Sequence, residues 1–145
     1  MQRRVIVVWL AMLALGVASC GGSKGTSTAD FTKRGNAICT KAMKQVRQGM
    51  THGGTVEEQF VRLQHTKIDK LGGLTPPDGL DGVYAQYKHL LSQRLNAIQR
   101  AFAVFTGDSN AAEKHHWREQ IYQLRVAETT LADALGLKSC DEVSY

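Results

Sequence analysis

The sequence predicts an all-α domain, a four-helix up-down bundle with one disulfide. Apolar residues recur at three- and four-residue spacing in four segments, which is the periodicity of helices that bury one face. Strand-like alternation is absent, and both prolines, Pro76 and Pro77, fall in one predicted loop. Because the connections between the four segments are short, neighbouring helices are expected to run antiparallel.

The first residues are typical of a secretory signal peptide. Two arginines precede an apolar run over residues 5–17, which is shorter than the ~20 residues of a membrane-spanning helix. The run ends in Val-Ala-Ser-Cys at 17–20, which resembles the bacterial lipobox. That resemblance implies that Cys20 carries a diacylglyceryl group and becomes the mature N-terminus. We therefore predict a signal peptide over 1–19.

A short tether follows the predicted anchor. Residues 20–28 are the lipidated cysteine and a Gly/Ser-rich stretch, whose flexible part has a root-mean-square reach of roughly 16 Å. The helical bundle domain is predicted over 29–145. Acyl chains at about 0.8 kcal/mol per buried methylene would hold it at the extracytoplasmic face of a cell membrane. The alternative is an ordinary secreted protein cut near Ala18 or Ser19.

Composition narrows the function classes. Removing 1–19 from the 145 residues leaves 126, which suits one domain. Of the 18 lysines and arginines, two lie in the signal peptide, so 16 basic residues face 13 acidic ones, a net charge of +3. This mild excess gives no case for a nucleic-acid partner. With Cys20 lipidated, Cys39 and Cys140 remain in an oxidising compartment and are predicted to pair.

Helix one is predicted from Ala29 to Gly49, and Ser27 or Thr28 can cap its first turn. Its apolar stripe consists of Phe31, Gly35, Ile38, Ala42, Val46 and Gly49, with Cys39 and Met43 on the flank.

Helix two opens at a capping box, Thr-Val-Glu-Glu at 55–58, and ends near Gly72 and Gly73. Residues 75–79, Thr-Pro-Pro-Asp-Gly, then form a turn that prevents the helix from continuing. The apolar stripe of this helix consists of Val56, Phe60, Leu63 and Leu71.

Helix three is predicted from about Leu80 to Phe105, and one of Asp108, Ser109 or Asn110 caps helix four. Gly136 is a natural C-terminal cap, after which residues 137–140 fold back towards helix one. The stripe of helix three is Leu80, Tyr84, Tyr87, Leu91, Leu95, Ile98, Phe102 and Phe105, and that of helix four is Trp117, Ile121, Leu124, Leu131 and Leu135.

Three short motifs carry a further resemblance. FTKRGNAIC at 31–39, TPPD at 75–78 and ALGLKSC at 134–140 resemble a group of small secreted helical proteins and lipoproteins of actinobacteria. The resemblance covers most of the mature chain. It implies a helical bundle in which Cys39 pairs with Cys140, and it supplies no activity and no functional residues.

Helix one separates its faces sharply. Its cations fall within an arc of roughly 140° at 100° per residue, and only Asp30 offsets them. This face could lie on lipid or meet an acidic envelope protein or an anionic wall polymer, or it could simply be solvated. Five cations form this basic face, which is the predicted surface contact: Lys33, Arg34, Lys41, Lys44 and Arg47.

Three charged residues interrupt the apolar stripes: Lys67 in helix two, Arg94 in helix three and Glu128 in helix four. Unpaired charges are costly to bury, so they should pair or reach water. Folding helices three and four about residue 108 places Glu128 near Lys88 and within reach of Arg94. One interpretation is a polar pocket that holds a polar or anionic ligand head. The other is a structural ion pair, or long side chains that reach the solvent.

No catalytic or metal motif is evident. His115 and Glu119 share a helix face without a third ligand, and no nucleophile elbow or Gly-rich phosphate loop occurs. We therefore predict no enzyme and no cofactor. The leading expectation is a non-catalytic interaction or assembly module, an envelope lipoprotein at the outer face of a bacterial membrane. The alternative is a carrier or sensor for a small polar-headed or lipidic ligand.

Overall fold

The computed structural model describes residues 26–48 and 55–140, which form an all-α, four-helix up-down bundle. No strand occurs among these residues, and the predicted Cys39–Cys140 disulfide is present. The fold class is therefore confirmed. The helices are α1 (Thr28–Arg47), α2 (Val56–Gly72), α3 (Asp81–Thr106) and α4 (Ala111–Ala134), followed by a short 3-10 helix (Lys138–Cys140).

Several predictions fall on residues outside the described part. These are the signal peptide (1–19), the lipidated Cys20, most of the tether, the predicted end of helix one at Gly49 and the tail at 141–145.

Side chains cap three of the four helices at the predicted places. The Ser27 hydroxyl accepts from the Asp30 amide at 3.1 Å in α1. In α2 the capping box is complete, because Thr55 accepts from the Glu58 amide and the Glu58 carboxylate accepts from the Thr55 amide. Of the three candidates before α4, Asn110 is the cap and accepts from the Glu113 amide at 2.9 Å. Local sequence therefore sets where these helices begin.

The core lies at the end of the bundle where α1 and α3 begin and α2 and α4 end. Phe31 packs edge-to-face on Tyr84, with ring centroids 5.3 Å apart, and the Tyr84 hydroxyl donates to the Leu71 carbonyl. These contacts join the first three helices. The core consists of Phe31, Cys39, Leu71, Leu74, Tyr84, Tyr87, Leu91, Ala132, Leu135, Leu137 and Cys140.

The apolar residues at the opposite end of the bundle are more exposed than the apolar stripes predict. Val56 is 69% exposed and Phe105 36%, while Trp117, Ile121 and Leu124 are only half-buried. Val56 is the first residue of α2. For Phe105 and the first half of α4 the reason is length: α3 has 26 residues and α2 has 17, so α3 is longer by roughly 13 Å at 1.5 Å per residue. The joined ends of α3 and α4 therefore pack mainly on each other.

The segment after α4 folds back onto α1, as expected. Gly136 adopts a left-handed conformation (φ 71°), and the Leu137 amide donates to the Ala132 carbonyl at 2.8 Å, which makes a Schellman cap. Within the described residues, no Cα atom of α1 comes within 8 Å of one in α4, whereas the 3-10 helix contacts both. The C-terminal segment is thus the link between the first and last helices.

Two side chains of α1 hold that segment. Cys39 forms the disulfide with Cys140, with Cα atoms 5.0 Å apart. The Asn36 amide nitrogen donates to the Gly136 carbonyl at 3.1 Å, and its oxygen accepts from the Ser139 amide at 2.8 Å. Asn36 therefore satisfies two backbone groups that the turn leaves without helical partners.

Removing the disulfide should destabilise the bundle strongly. The Cys39→Ser/Cys140→Ser variant releases a constraint across 101 residues, and such a loop is worth up to ~4.7 kcal/mol in the chain-entropy model. We expect the unfolding free energy to fall by ~3–5 kcal/mol in urea titrations, with Cys20 unchanged in both proteins. Equal unfolding midpoints would show that the link contributes nothing to stability.

Gly35 should be intolerant of a side chain. It is buried in α1, and a Cβ there would overlap the end of the Leu137 side chain, which is fully buried and would have to shift within the core. Gly35→Ala should therefore lower the unfolding free energy by ~1–3 kcal/mol.

Gly82→Ala is the matched control, because an added Cβ there meets nothing within 4 Å. It should leave stability unchanged or raise it by ~0.5–1 kcal/mol. Thermal unfolding of both variants measures the contrast, and similar melting temperatures would contradict it.

Candidate functional site

Four polar side chains lie in the interior of the bundle. Gln64, Lys67, Arg94 and Glu128 are between 2% and 7% exposed, and they are the buried polar residues of the described chain. Helix α2 supplies the first two, one turn apart, while α3 supplies Arg94 and α4 supplies Glu128. We call these four residues the polar cluster.

The structure brings Arg94 and Glu128 into direct contact. The Arg94 Nη1 atom lies 2.8 Å from the Glu128 Oε2 atom, so the expected approach of these two residues is observed. Lys88, the other expected neighbour of Glu128, instead places its ammonium over the Tyr84 ring, 5.0 Å from the centroid. The ion pair links α3 to α4 in the middle of the bundle.

Lys67 carries a buried ammonium group. Its Nζ atom has no hydrogen-bond acceptor among the described residues. Burial lowers the pKa of Lys67 from 10.5 to about 8, the nearby Glu128 carboxylate partly offsets this, and Arg94 adds to the lowering. Lys67 therefore remains mostly protonated at neutral pH.

Glu128 is the one acidic residue of the polar cluster. Burial raises the pKa of Glu128, while Arg94, Lys67 and Arg125 oppose that rise. The cluster thus holds two basic groups against one carboxylate, and positive charge is in excess. Excess buried charge is costly unless something compensates it.

An open groove lies beside Lys67, between α1 and α2. Its volume is about 210 Å³. The aliphatic part of its wall comes from alanine, isoleucine and leucine side chains, and three lysines add positive charge. The residues that line this α1–α2 groove are Ala37, Ile38, Lys41, Ala42, Gln45, Leu63, Thr66, Lys67 and Lys70.

Lys67 also borders a tighter hollow next to the groove, and Ala42 lines both. The disulfide, Ser139, Gln64 and Met43 help to line this hollow, which leaves no room for a water molecule. Lys67 therefore lies between the open groove and the closely packed C-terminal link.

The basic face predicted on helix one is exposed along its whole length. All five of its cations are exposed, and Phe31, Gly35, Cys39 and Ala42 bury the opposite side of α1. The Arg34 Nη1 atom lies 3.6 Å from the Asp30 carboxylate, and both side chains are more than half exposed. Lys41 belongs to this face and also lines the α1–α2 groove.

The described residues offer no metal centre and no helix that could cross a membrane. No group of three His, Cys, Asp or Glu side chains converges in 26–48 and 55–140, and none of the helices there is long and apolar enough to span a bilayer. His115 and Glu119 are exposed, and the Glu119 carboxylate accepts from the Gln123 side chain at 2.6 Å.

Sequence reasoning missed Gln64, Asn36 and the groove. Gln64 could have been found, because residues 60, 64, 67 and 71 are the buried positions of α2 and follow helical spacing. Asn36 lies inside the NAIC motif, but nothing local shows that its amide bonds residues 136 and 139. The groove depends on how α1 and α2 pack, which no local pattern indicates.

Comparison with known proteins supplies no family. No protein-family model matches the chain, and comparison with curated proteins and with solved structures gives no significant match. The likeness to the actinobacterial group stays a prediction from three short motifs.

Lys67 should give the stability a pH dependence of defined sign. Its pKa is about 8 in the folded protein and near 10.5 when unfolded, so between these values the unfolded chain binds more protons and stability rises with pH. Burial raises the pKa of Tyr84 from 10.0 to about 12. Ionisation of this residue in the unfolded chain therefore lowers the stability as pH rises above 10. The gain from Lys67 should therefore be clearest between pH 8 and 10.

Lys67→Met should remove this pH dependence. The contributions of all other titrating groups cancel when the variant is compared with the wild type. At pH 7 its unfolding free energy should exceed that of the wild type by up to ~3 kcal/mol, and the difference should shrink as pH rises to 10. Urea titrations at pH 7, 8, 9 and 10 measure it. Lys70→Met, at an exposed position one turn away, should follow the wild type. Parallel stability curves for wild type and Lys67→Met would contradict the assignment.

Proposed function

We propose that this protein is a membrane-anchored envelope lipoprotein that acts as a non-catalytic interaction or assembly module at the outer face of a bacterial membrane. The observation that carries the proposal is the exposed basic face of α1. This helix begins at Thr28, directly after the predicted tether from Cys20. The most basic surface of the helix therefore lies next to the proposed anchor.

The charges of this face suit an anionic surface. Asp30 is its one acidic neighbour in α1, and Lys44 and Arg47 lie in the last turn. Each cation near anionic headgroups can contribute about 1 kcal/mol of attraction. Since the tether reaches only roughly 16 Å, lipid headgroups are the nearest such surface. An anionic wall polymer or an acidic envelope protein offers the same chemistry.

Vesicle binding tests this contact without the acyl chains. The unlipidated chain from Gly21 should bind vesicles that contain phosphatidylglycerol, and it should bind phosphatidylcholine vesicles much more weakly. Lys33→Glu/Lys44→Glu/Arg47→Glu should weaken the binding to anionic vesicles at least tenfold, because three favourable charges become unfavourable. Co-sedimentation at low and high salt measures both effects.

A control variant with the same net charge distinguishes the effect of the basic face of α1 from that of the total charge of the protein. Arg62→Glu/Arg100→Glu/Lys114→Glu changes one cation on each of the other three helices and should retain most of the binding. If both triple variants bind equally well, the contact is not located on α1. If wild-type binding is unaffected by salt, the contact is not electrostatic.

Ligand carriage is a second candidate, and one observation favours it. The expected location was between helices, near Lys67, Arg94 and Glu128. The open space lies on the α1 side of Lys67, whereas Arg94 and Glu128 pair on its other side. Lys67, whose ammonium group is buried, is one of three lysines that line this groove, and a lining with this positive charge is suited to an anionic ligand.

A further inference from the structure

We propose that the α1–α2 groove binds the carboxylate of an aliphatic acid, and that the buried Lys67 ammonium is its main partner. This proposal gives the second candidate function a ligand class, and it rests on that function. It can be tested separately from the surface contact of α1, because Lys67 is not part of the basic face and Lys41 is the one cation that the face and the groove share.

The buried ammonium group of Lys67 lacks a hydrogen-bond acceptor within residues 26–48 and 55–140. Lys67 is 3% exposed, and its Nζ atom has no hydrogen-bond acceptor in the part of the chain described. The Glu128 Oε2 atom forms an ion pair with Arg94 at 2.8 Å, although it too lacks a hydrogen-bond partner of good geometry among the described residues. A carboxylate at the inner end of the groove would give Lys67 an acceptor and would neutralise the excess charge of the polar cluster. Charge-assisted hydrogen bonds of this kind are stronger than neutral ones.

The lining of the groove combines positive charge with aliphatic surface. Lys41 on α1 and Lys70 on α2 stand on its two walls and are exposed, whereas Lys67 lies deeper. Ala37, Ile38, Ala42 and Leu63 supply aliphatic surface between these cations. This combination suits a ligand with a single anionic head and an aliphatic chain, rather than a highly charged, strongly hydrated ion.

The volume of the groove limits the size of the ligand that it can hold. The groove volume of about 210 Å³ is below the ~300–1,000 Å³ of ordinary small-molecule sites. It therefore fits a carboxylate and the first carbons of its chain, and a longer chain would continue outside. An acid of this kind near a membrane would come from the lipid phase, which the predicted anchor keeps within reach.

The test uses octanoate, which is soluble and short enough to partition weakly into lipid. The mature lipidated protein, in nanodiscs of phosphatidylcholine, is titrated with carboxyl-¹³C-labelled octanoate and followed by NMR. We expect saturable binding, with octanol at least tenfold weaker because it lacks the charge. Equal binding of octanol, or no saturable binding of octanoate, would overturn the proposal.

Two variants locate the site, and one serves as control. Lys67→Met should weaken octanoate binding at least tenfold. Ala37→Phe fills the groove from an exposed position of α1 and should have the same effect without touching Lys67. Lys44→Met, on the same helix and outside the groove, should bind like the wild type. Octanoate binding that survives both groove variants would overturn the proposal.

Inorganic phosphate distinguishes the ligand chemistry. Phosphate should compete with octanoate at least tenfold more weakly than decanoate does. Equal competition would replace the aliphatic acid with a simple anion site and overturn the proposal. The triple variant of Lys33, Lys44 and Arg47 should still bind octanoate, and Lys67→Met should still bind anionic vesicles, so failure of either function is visible separately.

Discussion

The junction between α1 and the C-terminal segment holds the two ends of the domain together. In the described residues α1 and α4 make no close backbone contact, so their connection runs through Leu137 and Cys140. The disulfide restricts the unfolded chain across 101 residues. Asn36 fixes the same segment with two hydrogen bonds to its backbone. Gly35 leaves the space that the Leu137 side chain fills, so this side chain packs directly on the backbone of α1. Covalent, polar and apolar contacts thus coincide over about one helical turn of α1.

The polar cluster lies next to this junction and has a different physical character. A buried ion pair such as Arg94–Glu128 contributes little net stability, because removing two charges from water costs about as much as their attraction returns. The extra cation, Lys67, adds a cost without an evident structural gain. Residues that are costly to bury and have no structural compensation are expected at functional sites. The buried cation, rather than the size of the groove, therefore makes this part of α2 the candidate site.

The basic face and the groove are two surfaces of the same helix pair. Lys41 belongs to both, since it lies on the edge of α1 that faces α2. If α1 lies against anionic headgroups, the mouth of the groove is close to the lipid surface as well. The two proposed functions are therefore compatible in one orientation of the domain, and Lys41 is the cation that they share. The exposed end formed by α3 and α4 points away from the core at the start of α1.

The helices, their caps and the fold class could be predicted from the amino-acid sequence. Capping and periodicity are local properties, so Ser27, the Thr55–Glu58 box and Asn110 could be identified from short segments. The pairing of Cys39 with Cys140 followed from counting cysteines, and the meeting of Arg94 with Glu128 followed from folding one hairpin. Tertiary structure alone decided that Val56 and Phe105 stay exposed, that Asn36 bonds residues 136 and 139, and that Lys67 borders an open groove. These features depend on the relative lengths and packing of distant helices, which the periodicity of a single helix does not encode.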